Sequence, residues 1–252
     1  MVSISVIKSK SLSAKERLVL ALDVDDFKSA ENLVGLLKDY IGVFKIGNQL
    51  FTSEGTKIIN MINKAKARVF LDLKFHDIPN TVKGAAKAAT DLGVSMFNVH
   101  ASGGLAMMKA AIDGINESNK EKKPKVIAVT ILTSIDENIL NNEIGISGKV
   151  EDEVLKLALL TKEAGLDGVV CSAADLYAIK DKLPPDFMFV TPGIKGPNTP
   201  AGADQKRVFT PGNAIKDGST ILVIGKAITG FNTKEERQKA AYDVLQDMAK
   251  NL

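Results

Sequence analysis

The feature that most restricts the fold of this chain is a unit that recurs along it: a short β-branched run, a loop, then a stretch of helical period. The candidate strands are LVLALDV (18–24), GVFKIG (42–47), ARVFLDLK (67–74), VSMFNVH (94–100), KVIAVTIL (125–132), DGVVCS (167–172), FMFVTP (187–192) and TILVIG (220–225). Helix-like segments follow near 27–39, 52–65, 80–92, 104–115, 149–164, 173–182 and 211–217, with a last one at 233–250. Many of the runs are almost continuously apolar rather than alternating, as strands buried on both faces by helices must be. Leu92-Gly93 and Ala164-Gly165 each place a glycine where a helix ends just before a strand. Eight such units predict an α/β fold of one domain, a closed (β/α)8 TIM barrel over 18–252 preceded by a polar arm, 1–17. An open doubly wound sheet is the rival arrangement. No Pro/Gly/Ser-rich linker divides the chain.

Composition narrows the function classes. The 252 residues are 45% hydrophobic and 25% charged, a balance suited to a large core. A net charge of +3 is too small for a chain whose main partner is nucleic acid. With the single cysteine Cys171 and only two histidines, His76 and His100, a disulfide framework and a multi-cysteine zinc site are both excluded. No apolar run approaches the roughly 18–20 residues of a membrane span. The first residues, MVSISVIKSKSLSAKERL, have no sustained apolar segment, so no signal peptide is expected and the cytoplasm is the expected location.

In a barrel of this kind the active site lies at the C-terminal ends of the strands. The polar residues expected there are Asp23, Lys45, Asp72, Lys74, Asp77, His100, Thr133, Lys195 and Lys226. The sharpest segment is FLDLKFHDIPNT, 70–81. Asp72 and Lys74 are two apart on a strand and so should share its inner side, while Asp77 follows where the strand ends and Pro79 opens a helix. A salt-bridged strand end is the bland alternative. Lys45 and Asp23 on neighbouring strands weigh against it, because ions inside a barrel are costly unless they are used or paired.

Such an array has no Ser-His pair and no glycine-rich nucleotide fingerprint. Carboxylates beside a lysine favour its charged form, which suits proton delivery to a developing carbanion better than Schiff-base chemistry. A second cluster, TPGIKGPNTPAGADQKR (191–207), is long, aperiodic and rich in Gly and Pro, as active-site lids often are. With IGK (224–226) it forms the loops after strands seven and eight, the usual phosphate site of the fold. Solvated surface lysine is the plain alternative for Lys195 and Lys226.

These residues carry a resemblance. DLKFHDIPNT (72–81), with ALDV (21–24), FKIG (44–47), FNVHASGG (97–104), AVTILTS (128–134), DGVVCS (167–172), TPGI (191–194) and ADQKR (203–207), resembles the bacterial orotidine 5′-phosphate decarboxylases from Asp23 to Lys226. The resemblance implies a cofactor-free, metal-free decarboxylation of orotidine 5′-phosphate to UMP in de novo pyrimidine biosynthesis. Lys74 would protonate C6, Asp72 would lie near the substrate carboxylate, and Lys45 would contact the ribose. Asp77 would reach across a homodimer interface into the partner's site, with Ile78 and Thr81 nearby. Asp23 would bind ribose hydroxyls, Thr133 the pyrimidine edge, Gln205 both base and phosphate, and Gly225 the phosphate through its N–H. Lys195 and Lys226 stand where the family usually has arginine, and lysine lacks arginine's bidentate grip on phosphate. The rivals are a Mg²⁺-dependent sugar-phosphate decarboxylase or synthase sharing the Asp-x-Lys-x-x-Asp strand, and a non-enzymatic phosphate-binding barrel.

Overall fold

The computed structural model describes residues 12–197 and 209–252, so Gln205 lies outside the described residues. Eight strands close into one barrel in sequence order, each parallel to its neighbours. They are β1 Leu18–Ala21, β2 Val43–Gly47, β3 Arg68–Phe75, β4 Met96–His100, β5 Lys125–Val129, β6 Gly168–Val170, β7 Met188–Thr191 and β8 Ile221–Ile224. The closed ring excludes the open doubly wound sheet. The helices are α1 Ala14–Arg17, α2 Phe27–Leu37, α3 Asn48–Glu54, α4 Lys57–Lys64, α5 Pro79–Asp91 and α6 Gly104–Glu117. They continue with α7 Val150–Glu163, α8 Leu176–Ile179, α9 Pro211–Asp217, α10 Lys226–Thr229 and α11 Lys234–Ala249.

Local chemistry explains most of these bounds. Asp26 caps α2 by accepting from the Ser29 N–H, and Ala30, Leu33, Val34 and Leu37 form its buried stripe at helical spacing. Burying each such leucine contributes about 1.5–3 kcal/mol. Thr233 and Glu236 cap α11 reciprocally. The helix expected over 52–65 is instead two, α3 and α4, because Gly55 takes φ 62° and ends the first. The helix expected at 173–182 begins only at Leu176. Ser172 and Asp175 first exchange side-chain and backbone hydrogen bonds in a turn.

Strand alternation sorts the core into two parts. Leu18, Leu20, Phe44, Ile46, Val69, Leu71, Phe97 and Val99 face the helices. Val19, Ala21, Val43, Phe70, Met96, Ile127, Val190, Ile221 and Val223 pack as a separate cluster inside the barrel. The end of the arm closes the barrel floor: α1 is capped by Ser13, and buried Arg17 donates to the carbonyls of Leu12 and Thr220. The Lys15 carbonyl lies so near Gly42 that a Cβ there would approach it to 2.2 Å, which explains the glycine at that point. With the floor filled, access is from the C-terminal ends of the strands. No helix among the described residues is long and apolar enough to cross a membrane.

Candidate active site

Two residues beyond Val43, Phe70 and Met96 on β2, β3 and β4 stand Lys45, Asp72 and Asn98, so alternation that fills the barrel with apolar side chains aims these three into its mouth. They line a cavity of about 740 Å³ together with Asp23, Lys74, Thr133, Lys195, Gly225 and Lys226. The structure thus gathers most of the expected site residues in one place.

Asp72 is the hub. Its Oδ2 lies 3.0 Å from Lys45 Nζ and its Oδ1 lies 2.7 Å from Lys74 Nζ. Asn98 Nδ2 also donates to Oδ1, at 2.7 Å. Lys45 in turn reaches Asp23 Oδ1 at 3.5 Å. Burial pushes the Asp72 carboxyl up, but the Lys45 charge, the hydrogen bond and charge of Lys74, and the Asn98 amide outweigh burial and hold it below its ordinary value. The contribution of this ionisation to stability is therefore full above the ordinary carboxylate range and is lost as pH falls through the lowered value. The side chains of Lys45 and Asp72 are only 12% and 13% exposed, whereas Asp23 is 63% exposed, so the Asp23 contact is screened by solvent. Loss of one lysine leaves Asp72 paired with the other, whereas loss of Asp72 itself would leave Lys45 and Lys74 without the carboxylate between them, at a cost of about 3–5 kcal/mol.

Simple alternation does not explain Lys74. Its φ is 54°, and the stretch from Leu71 to Phe75 on β3 opposes only Phe97 to Val99 on β4, so β3 bulges at this point. Backbone in this region costs a non-glycine residue about 1–3 kcal/mol and gathers at functional sites. Lys74 does share the inner side with Asp72, as expected, but through a bulge rather than a regular pleat. Asn98 escaped notice in the sequence, although a lone amide amid MFNVH was the available signal: it donates to Asp72 and takes the Lys74 N–H on its Oδ1 at 2.8 Å.

Beyond β3 the chain leaves the cavity. Asp77 is exposed and accepts from the Ile78 N–H at 2.6 Å. Ile78 is 67% exposed, Pro79 opens α5 as expected, and Thr81 is exposed in its first turn. None of Asp77, Ile78 and Thr81 lines the cavity of its own chain. His100, half-buried at the end of β4, stacks obliquely on His76 with ring centroids 5.4 Å apart. Burial, His76 and Lys74 all lower its basicity. Cys171 lines the cavity, but burial pushes its thiol well up, which removes it as a nucleophile. Among the described residues no three His, Cys, Asp or Glu side chains are grouped to hold a metal ion.

The far wall comes from the loops after β7 and β8. Lys195 lines it with its backbone N–H donating to the Phe209 carbonyl, and Gly225 precedes Lys226, the first residue of α10. One mouth therefore combines a lysine–carboxylate array on β2 and β3 with two further lysines opposite.

The whole chain also has known relatives. A chain from Moorella thermoacetica named orotidine 5′-phosphate decarboxylase is 47% identical over 224 residues, covering 86% of this chain and 87% of that one. One of the same name from Syntrophotalea carbinolica is 45% identical over 244 residues, covering 96% and 98%. The crystal structure of orotidine 5′-phosphate decarboxylase from Lactobacillus acidophilus superposes with a TM-score of 0.81 at 34% identity, covering 92% of this chain and 98% of that one. The model of the orotidine 5′-phosphate decarboxylase / HUMPS family matches residues 16–241, from the barrel floor into α11, and the chain belongs to that family.

Proposed function

We propose that this protein converts orotidine 5′-phosphate to UMP without a cofactor, in de novo pyrimidine biosynthesis in the cytoplasm, with Lys74 as the proton donor. The observation that carries the reading is the Lys45–Asp72–Lys74 array in the barrel mouth, in a chain 41–48% identical to relatives named for that reaction. In this reading the C6–carboxylate bond breaks, CO₂ departs, and the electron pair stays on C6. The Lys74 ammonium stabilises that charge and transfers a proton to C6, and water then reprotonates the amine. Asp72 lies beside the substrate carboxylate and keeps Lys74 aimed. Lys45 and Asp23 take the ribose hydroxyls, and Thr133 takes the pyrimidine edge. Gly225, Lys195 and Lys226 hold the phosphate, with Gln205 bridging base and phosphate.

Asp77 completes the site from a second copy of the chain. Its outward placement, beside exposed Ile78 and Thr81 and away from its own cavity, supports a homodimer in which these residues reach the partner's substrate.

A metal-dependent sugar-phosphate decarboxylase or synthase is the rival reading to test. Where a Mg²⁺ site would gain from another acid, Lys45 sits against Asp72. Purified protein is expected to consume orotidine 5′-phosphate in EDTA, followed by the loss of the substrate's absorbance. A flat trace, or one restored only by Mg²⁺, would sink the assignment.

The phosphate end yields a separate expectation. Lys226→Ala should raise KM for orotidine 5′-phosphate by about 10–100-fold, the effect of losing one charge-assisted phosphate contact. The slow reaction of phosphate-free orotidine should hardly change, and Lys226→Arg should be tolerated. A wild-type KM in the alanine variant would mean that Lys226 is surface lysine and other groups hold the phosphate.

A further inference from the structure

Both ends of the Asn98 amide are committed to the charged strand beside it, and the residue is 1% exposed. Its Nδ2 donates to Asp72 Oδ1 and its Oδ1 accepts from the Lys74 backbone N–H. The reverse orientation of the amide would set oxygen against carboxylate and N–H against N–H, so the partners fix which end is which. The bond to Lys74 falls where the β3–β4 register slips and where Lys74 adopts φ 54°. There the ladder no longer dictates where the side chain points.

We propose that Asn98 is a positioning residue: it clamps Lys74 in its left-handed backbone conformation and Asp72 in its rotamer, and so keeps the Lys74 ammonium aimed at the reacting carbon. The inference rests on the decarboxylase reading above. Without the amide, the Lys74 N–H would lose its acceptor in a shielded site, and the backbone could relax toward negative φ, swinging Nζ away. No other residue of similar size supplies both functions. Ionised aspartate offers an acceptor but no donor, and leucine offers neither. Lys45 would still neutralise Asp72, so the role concerns aim rather than charge.

The test compares wild type, Asn98→Ala and Asn98→Asp by steady-state kinetics on orotidine 5′-phosphate across pH. Circular dichroism and calorimetric titration with UMP are run in parallel. Asn98→Ala should lower kcat by about 100-fold, the penalty of misplacing a reacting group by about 1 Å. KM and UMP affinity should stay within about 3-fold, since ribose and phosphate contacts are untouched. Asn98→Asp keeps the acceptor for the Lys74 N–H but sets a second carboxylate against Asp72. The charged groups facing it are Asp72 and Lys74 from β3 and Lys45 from β2, with His100 further along β4; β5 presents Ile127 and Val129, which carry no charge. Lys45 and Lys74 keep Asp72 ionised, so a proton shared by the two carboxyls rests on the one at position 98, which then still donates to Asp72 and accepts from Lys74. Raising the pH removes that proton and sets two carboxylates together, so kcat should gain a new fall toward alkaline pH.

A folded Asn98→Ala protein with kcat within about 3-fold of wild type overturns the proposal, as does a parallel loss of kcat and UMP affinity. If the alanine variant does not fold, the aspartate variant decides: a new alkaline fall in kcat with UMP affinity unchanged supports the clamp, and a profile that superimposes on wild type removes it. Failure of the wild-type protein to turn over orotidine 5′-phosphate would remove the decarboxylase reading itself, a distinct result from an active wild type with an equally active Asn98→Ala.

Discussion

Lys74→Ala should lose at least about 10⁴-fold in kcat while still folding and still binding UMP. A positioned proton donor contributes about 10²–10⁴-fold. The same ammonium is the cation nearest Asp72 Oδ1, so its removal also takes away stabilisation of charge on C6, worth a further ~10²–10³-fold for a preorganised group. The fold should survive because Asp72 retains Lys45 at 3.0 Å and Asn98 at 2.7 Å, leaving no buried charge unpaired. Binding should survive because the phosphate end of the cavity, at Lys195, Gly225 and Lys226, is formed by other loops. Turnover in EDTA, thermal melting and UMP titration together check the expectation. Residual turnover within about 10-fold of wild type would mean that another group protonates C6.

The barrel was legible because its signal is repeated: each apolar run and each amphipathic segment argues for the same unit, and local errors do not accumulate. Those errors fell where one residue redirects the backbone. Gly55 splits a helix that apolar periodicity alone would continue, and the Ser172–Asp175 turn delays the start of α8. The charged array was legible for a different reason. Lysine and aspartate inside a strand violate the burial rule, so Lys45, Asp72 and Lys74 stand out in any reading of the sequence. Asn98 does not stand out in this way, because one uncharged amide costs little once it is hydrogen-bonded. Its importance comes from a register slip that no periodicity reports. The fate of Asp77 was equally hidden: whether an acid three residues past Lys74 turns into its own cavity or away from it depends on the path of the loop before Pro79.

That path makes the strongest test of assembly. In the proposed two-fold dimer each site takes Lys74 from one chain and Asp77 from the other, so Lys74→Ala and Asp77→Ala homodimers should both be nearly inactive. Dissociating the two variants together and letting them reassociate creates mixed dimers in which one site carries both lesions and the other carries neither. With random pairing about half of the dimers are mixed, so about one quarter of all sites should be intact under two-fold symmetry. Activity should therefore climb from near zero to about one quarter of the wild-type value per site. The exposed Asp77 carboxylate, which accepts from the Ile78 N–H of its own chain, and the apolar Ile78 beside it are the features expected at such a junction. Complementation of this kind needs the two residues to act in one site from different chains, because damage confined within each chain cannot be repaired by exchange. Thorough subunit exchange, verified by native mass spectrometry, with no gain in activity would mean that Asp77 serves only its own chain.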